Sequence, residues 1–378
     1  MRCLSVLFLV GVIFSSSPAP TLGFVATPKL ARSPTLSSVE KAPRIQIQSR
    51  APPSSKATST AIHALSPELL ASFLPPAMGY IKSEWTVSYG YGFATAFSAI
   101  SLLMKQQHPM ISTLHAASLV FYGLRLNAFL FLRNRLSPRY QEINKKIEEK
   151  ANKKYEEKAK KNSNGLSPRY KASISKTPVV LSCGLLYYGL YLPVLLTSKF
   201  ISDAAAVKSS AGVGLTVLKA LIGMQWFGFL LGAVGDLTKS YVKGSEKDGK
   251  FLVTSGVFSV LRHPNYTGEI IAWTSNFLCG ALSAAYLLRR QFSLSTFGSL
   301  GLSLMGCAGM WFVLLGATSN LEKRQQDDYG EMEKYKEWVK NTWSGWKLPP
   351  KTDKAKEQDE LPEITLNAEI EEDFGSGI

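Results

Sequence analysis

Five side chains that form strong hydrogen bonds lie close together in the stretch RHPNYTGE, residues 262–269. Arg262 carries a permanent positive charge, Asn265 an amide, Tyr266 a phenol and Glu269 a carboxylate. The apolar run IIAWTSNFLCGALSAAYLL follows immediately. Ionisable groups at the edge of a membrane helix are costly, so this pattern favours a function. The alternative is a structural role, in which the same groups only satisfy one another's hydrogen bonds.

The proline in this stretch predicts where the following helix starts. Pro264 cannot continue a helix and restricts the residue before it, so the span is predicted to begin beyond it, at 268–288. Asn265, Glu269 and Asn276 then fall near one face of that helix. The helix is therefore predicted to present a polar stripe at one end of an apolar segment.

The wider sequence predicts an all-α integral membrane protein. Only 19% of the residues are charged, and long apolar runs alternate with basic loops. A membrane helix needs about 20 mostly apolar residues. Six stretches meet this requirement: 85–104, 109–132, 178–197, 213–235, 268–288 and 296–318. Residues 66–81 are broken by two prolines and are predicted to lie at the membrane interface.

Loop charge predicts the orientation of these spans. Residues 133–176 contain 14 Lys/Arg and five Glu, a net charge of +9, which places this loop on the cytosolic or stromal side. Counting spans onward places the loop with RHPNY, and everything after residue 318, on the same side. The overall charge of +15 is thereby explained by topology. No basic patch interleaves with aromatic residues as nucleic-acid binding requires, so a nucleic-acid partner is not predicted.

The N-terminal region is predicted to be a targeting leader. Residues 1–23 have the basic start, short apolar core and small-residue exit of a signal peptide. Residues 24–64 contain six Lys/Arg, one Glu and many Ser, Thr, Pro and Ala, which is typical of a transit peptide. The two together resemble the bipartite leader of algae with complex plastids, and they predict a plastid membrane. The alternative is an uncleaved signal anchor with a linker, in the endoplasmic reticulum membrane.

Residues 65–350 are predicted to form the membrane domain. Its basic insert, 141–170, has Glu and Lys interleaved at helical spacing. The sequence LSPRY occurs at 136–140 and again at 166–170, around this insert, and we interpret it as a local duplication. Residues 351–378 turn acidic and are predicted to be a disordered tail.

Further polar residues are predicted on the side of the membrane that holds RHPNY. Asp236, Lys239 and Lys243 would align on a helix that continues the fourth span. Downstream, an aromatic series predicts a helix lying in the interface: Tyr329, Tyr335, Trp338, Trp343 and Trp346. These cations and amides could hold a phosphate-bearing cofactor at the membrane surface.

Neither a Rossmann glycine motif nor a Walker loop occurs, so a dinucleotide would be held by side chains of spans and loops. The four cysteines lack metal-ligand spacing, and no metal site is predicted.

Several motifs together resemble a known family. They are GVFSVLRHPNYTGE, the DLTK before it, the RL at 125–126, and LEKR followed by YKEW. Over about residues 85–350 the chain resembles the steroid 5-alpha-reductase C-terminal-domain-like membrane proteins. More distantly it resembles sterol reductases and isoprenylcysteine carboxyl methyltransferases, which carry a similar RHPxYxG.

The resemblance implies a membrane oxidoreductase that uses NADPH to reduce a C=C bond in a lipid, isoprenoid or sterol-like substrate. It implies cofactor contacts from the following residues: Asp236, Lys243, Arg262, Asn265, Tyr266 and Tyr335. Tyr266 would polarise the substrate, and Glu269 would orient Tyr266 or relay a proton, which makes these two the catalytic candidates. The partners expected are a lipid-soluble substrate and membrane lipids.

Two other functions remain open. One is an S-adenosylmethionine-dependent methyltransferase of the isoprenylcysteine or phospholipid type. Such an enzyme would favour a Glu pair where this chain has Glu322 followed by Lys323. The other is a non-catalytic membrane protein that binds lipid.

Overall fold

The computed structural model describes residues 66–105, 109–136, 138–161, 168–206, 212–244 and 252–348. These residues form nine α-helices: α1 (Pro67–Phe73), α2 (Tyr89–Leu103), α3 (Met110–Leu136), α4 (Pro138–Lys161), α5 (Pro168–Ala206), α6 (Gly212–Gly244), α7 (Pro264–Arg290), α8 (Leu294–Tyr329) and α9 (Glu333–Asn341). Short 3₁₀ helices occupy Pro75–Tyr80, Ser83–Thr86 and Gly256–Ser259. No β-strand occurs within these ranges, which confirms the predicted all-α class. The predicted leader (1–64) and acidic tail (351–378) lie outside the described residues.

Five helices of the described chain are long and apolar enough to cross a membrane. They are α3, residues Ile174–Ala205 of α5, Gly212–Val242 of α6, α7 and α8. The remaining predicted span, 85–104, is replaced by the 3₁₀ helix Ser83–Thr86 and by α2, which has 15 residues. At 1.5 Å per residue α2 is about 22 Å long, shorter than the roughly 30 Å hydrocarbon core. The apolar composition of this segment suggested a span, but its first residues form a tighter turn and shorten the helix.

Prolines define several helix starts. Pro264 is the first residue of α7, and His263 before it has φ −132° and ψ 65°, outside helical geometry. The prediction that the helix begins beyond Pro264 was therefore wrong, because proline is tolerated at the first helical position, where its missing N–H has no partner to lose. The two LSPRY copies behave alike, since α4 begins at Pro138 and α5 at Pro168. The predicted helical insert is confirmed as α4.

Small residues allow α6 and α7 to approach closely. A Cβ atom added to Gly228 would lie 2.4 Å from the carbonyl oxygen of Gly268, and one added to Gly268 would lie 2.4 Å from the carbonyl oxygen of Gly228. Further along, a Cβ on Gly235 would lie 3.0 Å from the nitrogen of Asn265. Backbone contact of this kind is how membrane helices associate without a hydrophobic driving force. It brings the end of α6 against the start of α7.

The remaining contacts give the helix directions. α7 runs antiparallel to α3, because Asn276 hydrogen-bonds His115 whereas Glu269 hydrogen-bonds Tyr122. α5 runs parallel to α7, because Asn276 hydrogen-bonds the Leu190 carbonyl oxygen whereas Arg290 pairs with Asp203. The C-terminal end of α8 contacts the residues immediately before α7. The ends of α3, α6 and α8 and the starts of α5 and α7 therefore share one end of the bundle, as the count of spans predicts.

The C-terminal aromatic residues divide into two groups. Tyr335 and Trp338 of α9 are buried against Leu252, and the Trp338 indole donates a 2.7 Å hydrogen bond to the Phe258 carbonyl oxygen. Trp343 and Trp346 are about half exposed. The aromatic series therefore serves both protein packing and the surface, whereas the sequence pattern predicted a helix lying in the interface and the family resemblance implied a cofactor contact for Tyr335.

Candidate functional site

An ion-pair cluster joins the start of α7 to the end of α8. Glu322 accepts hydrogen bonds from Nε of Arg262 at 2.8 Å and from its Nη2 at 3.1 Å. His263 Nε2 lies 2.7 Å from the same carboxylate, and Lys347 Nζ lies 3.4 Å from it. The Arg262 and Glu322 side chains are only 8% and 14% exposed. Bidentate pairing at such low exposure fixes both side chains in one geometry.

Arg262 also holds the segment that follows α9. Its Nη1 donates to the carbonyl oxygens of Val339, at 2.9 Å, and Thr342, at 2.6 Å. Its backbone nitrogen donates to the Trp343 carbonyl oxygen at 2.9 Å. One arginine thus connects the chain before α7, the end of α8 and the end of α9. We call Arg262, His263 and Glu322 the Glu322 clamp.

An open cleft adjoins the clamp. Its volume is about 30 Å³, well below that of a small-molecule site, so it is a small polar depression in this structure. Arg262, His263 and Asn265 line one side, and Lys239 of α6 and Tyr329 of α8 line others. The start of α7 is at this cleft, and helix starts favour negatively charged groups. The cleft therefore has the charge and the donors to bind an anion.

A second polar group lies inside the bundle. The Tyr122 phenol of α3 donates a 2.8 Å hydrogen bond to Oε2 of Glu269 on α7. Arg125, one turn after Tyr122, forms an ion pair with Asp236 of α6. The Arg125 guanidinium lies 5.6 Å from the centre of the Tyr122 ring, so the two pairs adjoin each other. Three helices thus contribute an acid–phenol pair and an ion pair to one place.

Aromatic rings surround the acid–phenol pair. The Tyr122 ring centre lies 4.5 Å from that of Phe229, 5.3 Å from that of Trp273 and 5.4 Å from that of Tyr91. Tyr91 in turn stacks on Tyr187 at 5.2 Å. Tyr122, Phe229 and Trp273 are fully buried. We call Tyr91, Tyr122, Tyr187, Phe229 and Trp273 the aromatic cage; it shields the Tyr122 phenol from water.

Arg125 has unused hydrogen-bonding capacity. Both Nε and Nη2 are buried, and neither has a hydrogen-bond partner among the described residues. Gly232 of α6 lies close both to this Nη2 and to the start of α7. A Cβ atom added to Gly232 would be 3.7 Å from Nη2 of Arg125 and 3.4 Å from the Asn265 carbonyl oxygen. Buried donors are almost always paired in native proteins, so these two indicate a place for an acceptor group. Arg125 therefore extends the cationic character of the cleft towards the bundle interior.

The structure separates the predicted site residues into three places. Arg262 and Asn265 line the cleft, whereas Asp236 and Glu269 lie in the interior polar group. Tyr335 packs in α9, where burial, reinforced by Glu322, raises the pKa of its phenol.

Tyr266 is 5% exposed, belongs to the core, and its ring centre is 6.2 Å from that of His263. The side chain of Lys243 lies outside the described residues.

Sequence reasoning missed three of the residues that complete these groups. Tyr122 was not singled out, although it lies three residues before Arg125 and so on the same helix face. Glu322 was considered only as a departure from a methyltransferase pattern. His263 was treated as a residue before proline. For the two acidic contacts no local signal exists, because their partners are 147 and 60 positions apart.

The fold and the site define a polytopic helical membrane protein with an interior polar group beside a cleft lined by cationic and amide side chains. The chain belongs to the DUF1295 family, described as a protein family of unknown function, whose model matches residues 79–342. This match covers α2 to α9 and both parts of the candidate site. No curated protein and no solved structure matches the chain.

Proposed function

We propose that this protein is a membrane reductase that uses NADPH to reduce a C=C bond conjugated to a carbonyl group in a lipid, isoprenoid or sterol-like substrate. The observation that carries the proposal is the adjacency of a cationic cleft and a caged acid–phenol pair. Asn265 lines the cleft, and Glu269 lies four residues further along α7, about 6 Å along the axis. The sequence resemblance to steroid 5-alpha-reductases supports the same reaction.

The donors in the cleft fit a phosphate-bearing cofactor. Two buried donor nitrogens of Arg125 have no partner among the described residues, and Lys239 and Asn265 line the adjoining cleft. We assign phosphate contacts to these three side chains and to the start of α7. When bound, the cofactor supplies the hydride.

Arg262 has a different part in this proposal from the one the resemblance implies. Its guanidinium group already donates four hydrogen bonds, two to Glu322 and two to backbone carbonyl oxygens. A direct grip on phosphate would require some of these bonds to break. We therefore propose that Arg262 positions the chain segment immediately before α7, which forms one wall of the cleft.

The acid–phenol pair supplies the proton for the reduction. As the C=C bond accepts the hydride, negative charge develops on the conjugated carbonyl oxygen. The Tyr122–Glu269 pair holds a proton at this place, and its transfer to that oxygen gives an enol that tautomerises to the saturated carbonyl compound. The aromatic cage excludes water from this phenol. Tyr122 takes the role that the sequence suggested for Tyr266.

Ligand-induced thermal stabilisation of the full chain in detergent tests the proposal. NADPH should raise the melting temperature in a saturable manner, and S-adenosylmethionine should not. The double variant Arg125→Gln/Asp236→Asn removes the cation without leaving a buried charge, and it should weaken NADPH binding about tenfold or more.

Arg135→Gln, an exposed arginine on the same helix, is the matched control and should leave NADPH affinity unchanged. Stabilisation by S-adenosylmethionine alone would replace the reductase by the methyltransferase. Stabilisation by neither ligand would leave a lipid-binding protein.

We also propose that residues 1–64 direct the protein to a plastid membrane. The proposal rests on the signal-peptide and transit-peptide composition of this segment. A fluorescent reporter fused after residue 64 should enter the plastid. Retention in the endoplasmic reticulum would support the signal-anchor alternative.

A further inference from the structure

A polar cavity lies between the 3₁₀ helix Ser83–Thr86 and the insert helix α4. It measures about 440 Å³, within the range of small-molecule sites. Its lining residues are all polar and include three carboxylates, two lysines and an amide that bear on its charge: Glu84, Glu148, Glu149, Lys82, Lys145 and Asn144. The methylene stems of these long side chains form much of the wall, and their polar ends interrupt it. The cavity therefore alternates apolar wall with hydrogen-bonding groups.

The cavity residues include acceptors that lack a donor. Glu84 is 7% exposed, and its Oε2 is buried without a hydrogen-bond partner in the described part of the chain. The same holds for Oδ1 of Asn144. Glu148 is better satisfied, since its Oε2 accepts a 2.9 Å hydrogen bond from the Ser83 backbone nitrogen. Buried acceptors without donors indicate a ligand that donates hydrogen bonds.

The charges that face Glu84 favour a cationic ligand. Burial raises the pKa of Glu84 to about 7; Lys82 opposes this rise and Glu148 reinforces it, while a side-chain hydrogen bond from Trp85 and the charge of Arg133 oppose it more weakly. Lys82 and Arg133 already have aromatic partners, and Lys145, the other cation that lines the cavity, is exposed to solvent. Lys82 Nζ lies 5.2 Å from the Trp85 ring centre, and Arg133 lies 4.1 Å from that of Tyr140. Two neighbouring carboxyl groups are thus left to share a proton or a cation.

We propose that this cavity binds a linear organic amine that carries two or more ammonium groups separated by methylene segments. The ammonium groups would donate to Glu84, Glu148 and Asn144, and the methylene segments would lie against the side-chain stems. A metal ion is a poorer fit, because the described residues contain no group of three His, Cys, Asp or Glu able to hold one. The insert helix would then be a ligand-binding element added to the membrane domain.

Spermidine is a suitable probe for the full chain in detergent. Calorimetric titration at pH 8 should give saturable binding to one site. Glu84→Gln and Glu148→Gln should each weaken it about tenfold or more, since each removes a charge-assisted contact. Glu142→Gln, an exposed carboxylate of α4 that pairs with Lys146, is the matched control and should bind as the parent does.

The protonation of Glu84 gives a second readout. Because its carboxyl group is partly protonated at pH 7, amine binding should release a proton there, measured by titration in buffers of different ionisation enthalpy. The Glu84→Gln variant should release less. Three results would overturn the proposal: absence of saturable binding, equal binding by both cavity variants and the parent, or displacement of spermidine by an equal concentration of Mg²⁺.

Discussion

Replacement of Glu322 by glutamine should destabilise the protein, because this carboxylate balances the charge of the buried Arg262. It accepts two hydrogen bonds from Arg262 and lies 2.7 Å from His263, at side-chain exposures of 14%, 8% and 1% in that order. Removal of one partner of a buried ion pair costs about 3–5 kcal/mol. Glutamine keeps one acceptor oxygen, so we expect a loss of about 2 kcal/mol, or a melting temperature lower by about 3–4 °C.

Thermal unfolding in detergent of the parent, Glu322→Gln, Arg262→Gln and the double variant measures this coupling. The double variant should be less destabilised than the sum of the two single variants, by about 1 kcal/mol or more. Asp327→Asn makes the same chemical change at an exposed position of α8 and is the matched control. Additive effects, or a Glu322→Gln variant no less stable than Asp327→Asn, would refute the clamp.

The same variants separate the two roles considered for Arg262. If Arg262 positions the cleft wall, Glu322→Gln should weaken NADPH binding together with stability. If Arg262 grips phosphate directly, the loss of its competing carboxylate should instead tighten NADPH binding.

Three further predictions follow from the geometry. Tyr122→Phe should keep cofactor affinity but lower turnover by about 10²–10⁴-fold in NADPH-oxidation assays with a lipid enone, because it removes the phenolic proton; unchanged turnover would exclude Tyr122 as the donor. Gly228→Ala should lower the melting temperature, because its Cβ would meet the α7 backbone at 2.4 Å, whereas Gly223→Ala, with open space around it, should not; equal melting temperatures would contradict the helix contact. Glu84→Gln should remove a pH dependence of unfolding, because the pKa of this carboxyl is 4.5 as a free group and about 7 in the folded protein. The parent should therefore lose up to about 3 kcal/mol of stability as the pH rises from 4.5 through 7. A parent curve that is flat over this range would disprove the effect of burial.

Features that depend on nearby residues were predictable from the sequence. The apolar runs gave five of the helices that can cross a membrane, because about 20 apolar residues in a row have few other stable positions. The charge of the 133–176 loop and the count of spans predicted which helix ends lie together. The interleaved Glu and Lys of the insert predicted α4. Each of these signals is contained within one segment.

The sequence misled where a local pattern has two structural outcomes. Residues 85–104 are apolar enough for a span, yet the turn at Ser83–Thr86 leaves a 15-residue helix. Pro264 can end one helix or begin another, and here it begins α7. Tyr335 and Trp338 have the composition of an interfacial anchor, but they pack against Leu252. The choice in each case depends on what the rest of the chain places alongside.

The partners of the polar residues were decided only by the tertiary structure. The sequence indicated that Arg262 and Glu269 have a function, because such groups beside an apolar helix are costly. It did not indicate that Arg262 would meet Glu322, or that Glu269 would meet Tyr122. An arginine can pair with any carboxylate, and a carboxylate with any hydroxyl group. Which pair forms is set by the backbone contact of α6 with α7 and by the antiparallel packing of α3 and α8 on α7, and these depend on residues distant in the sequence.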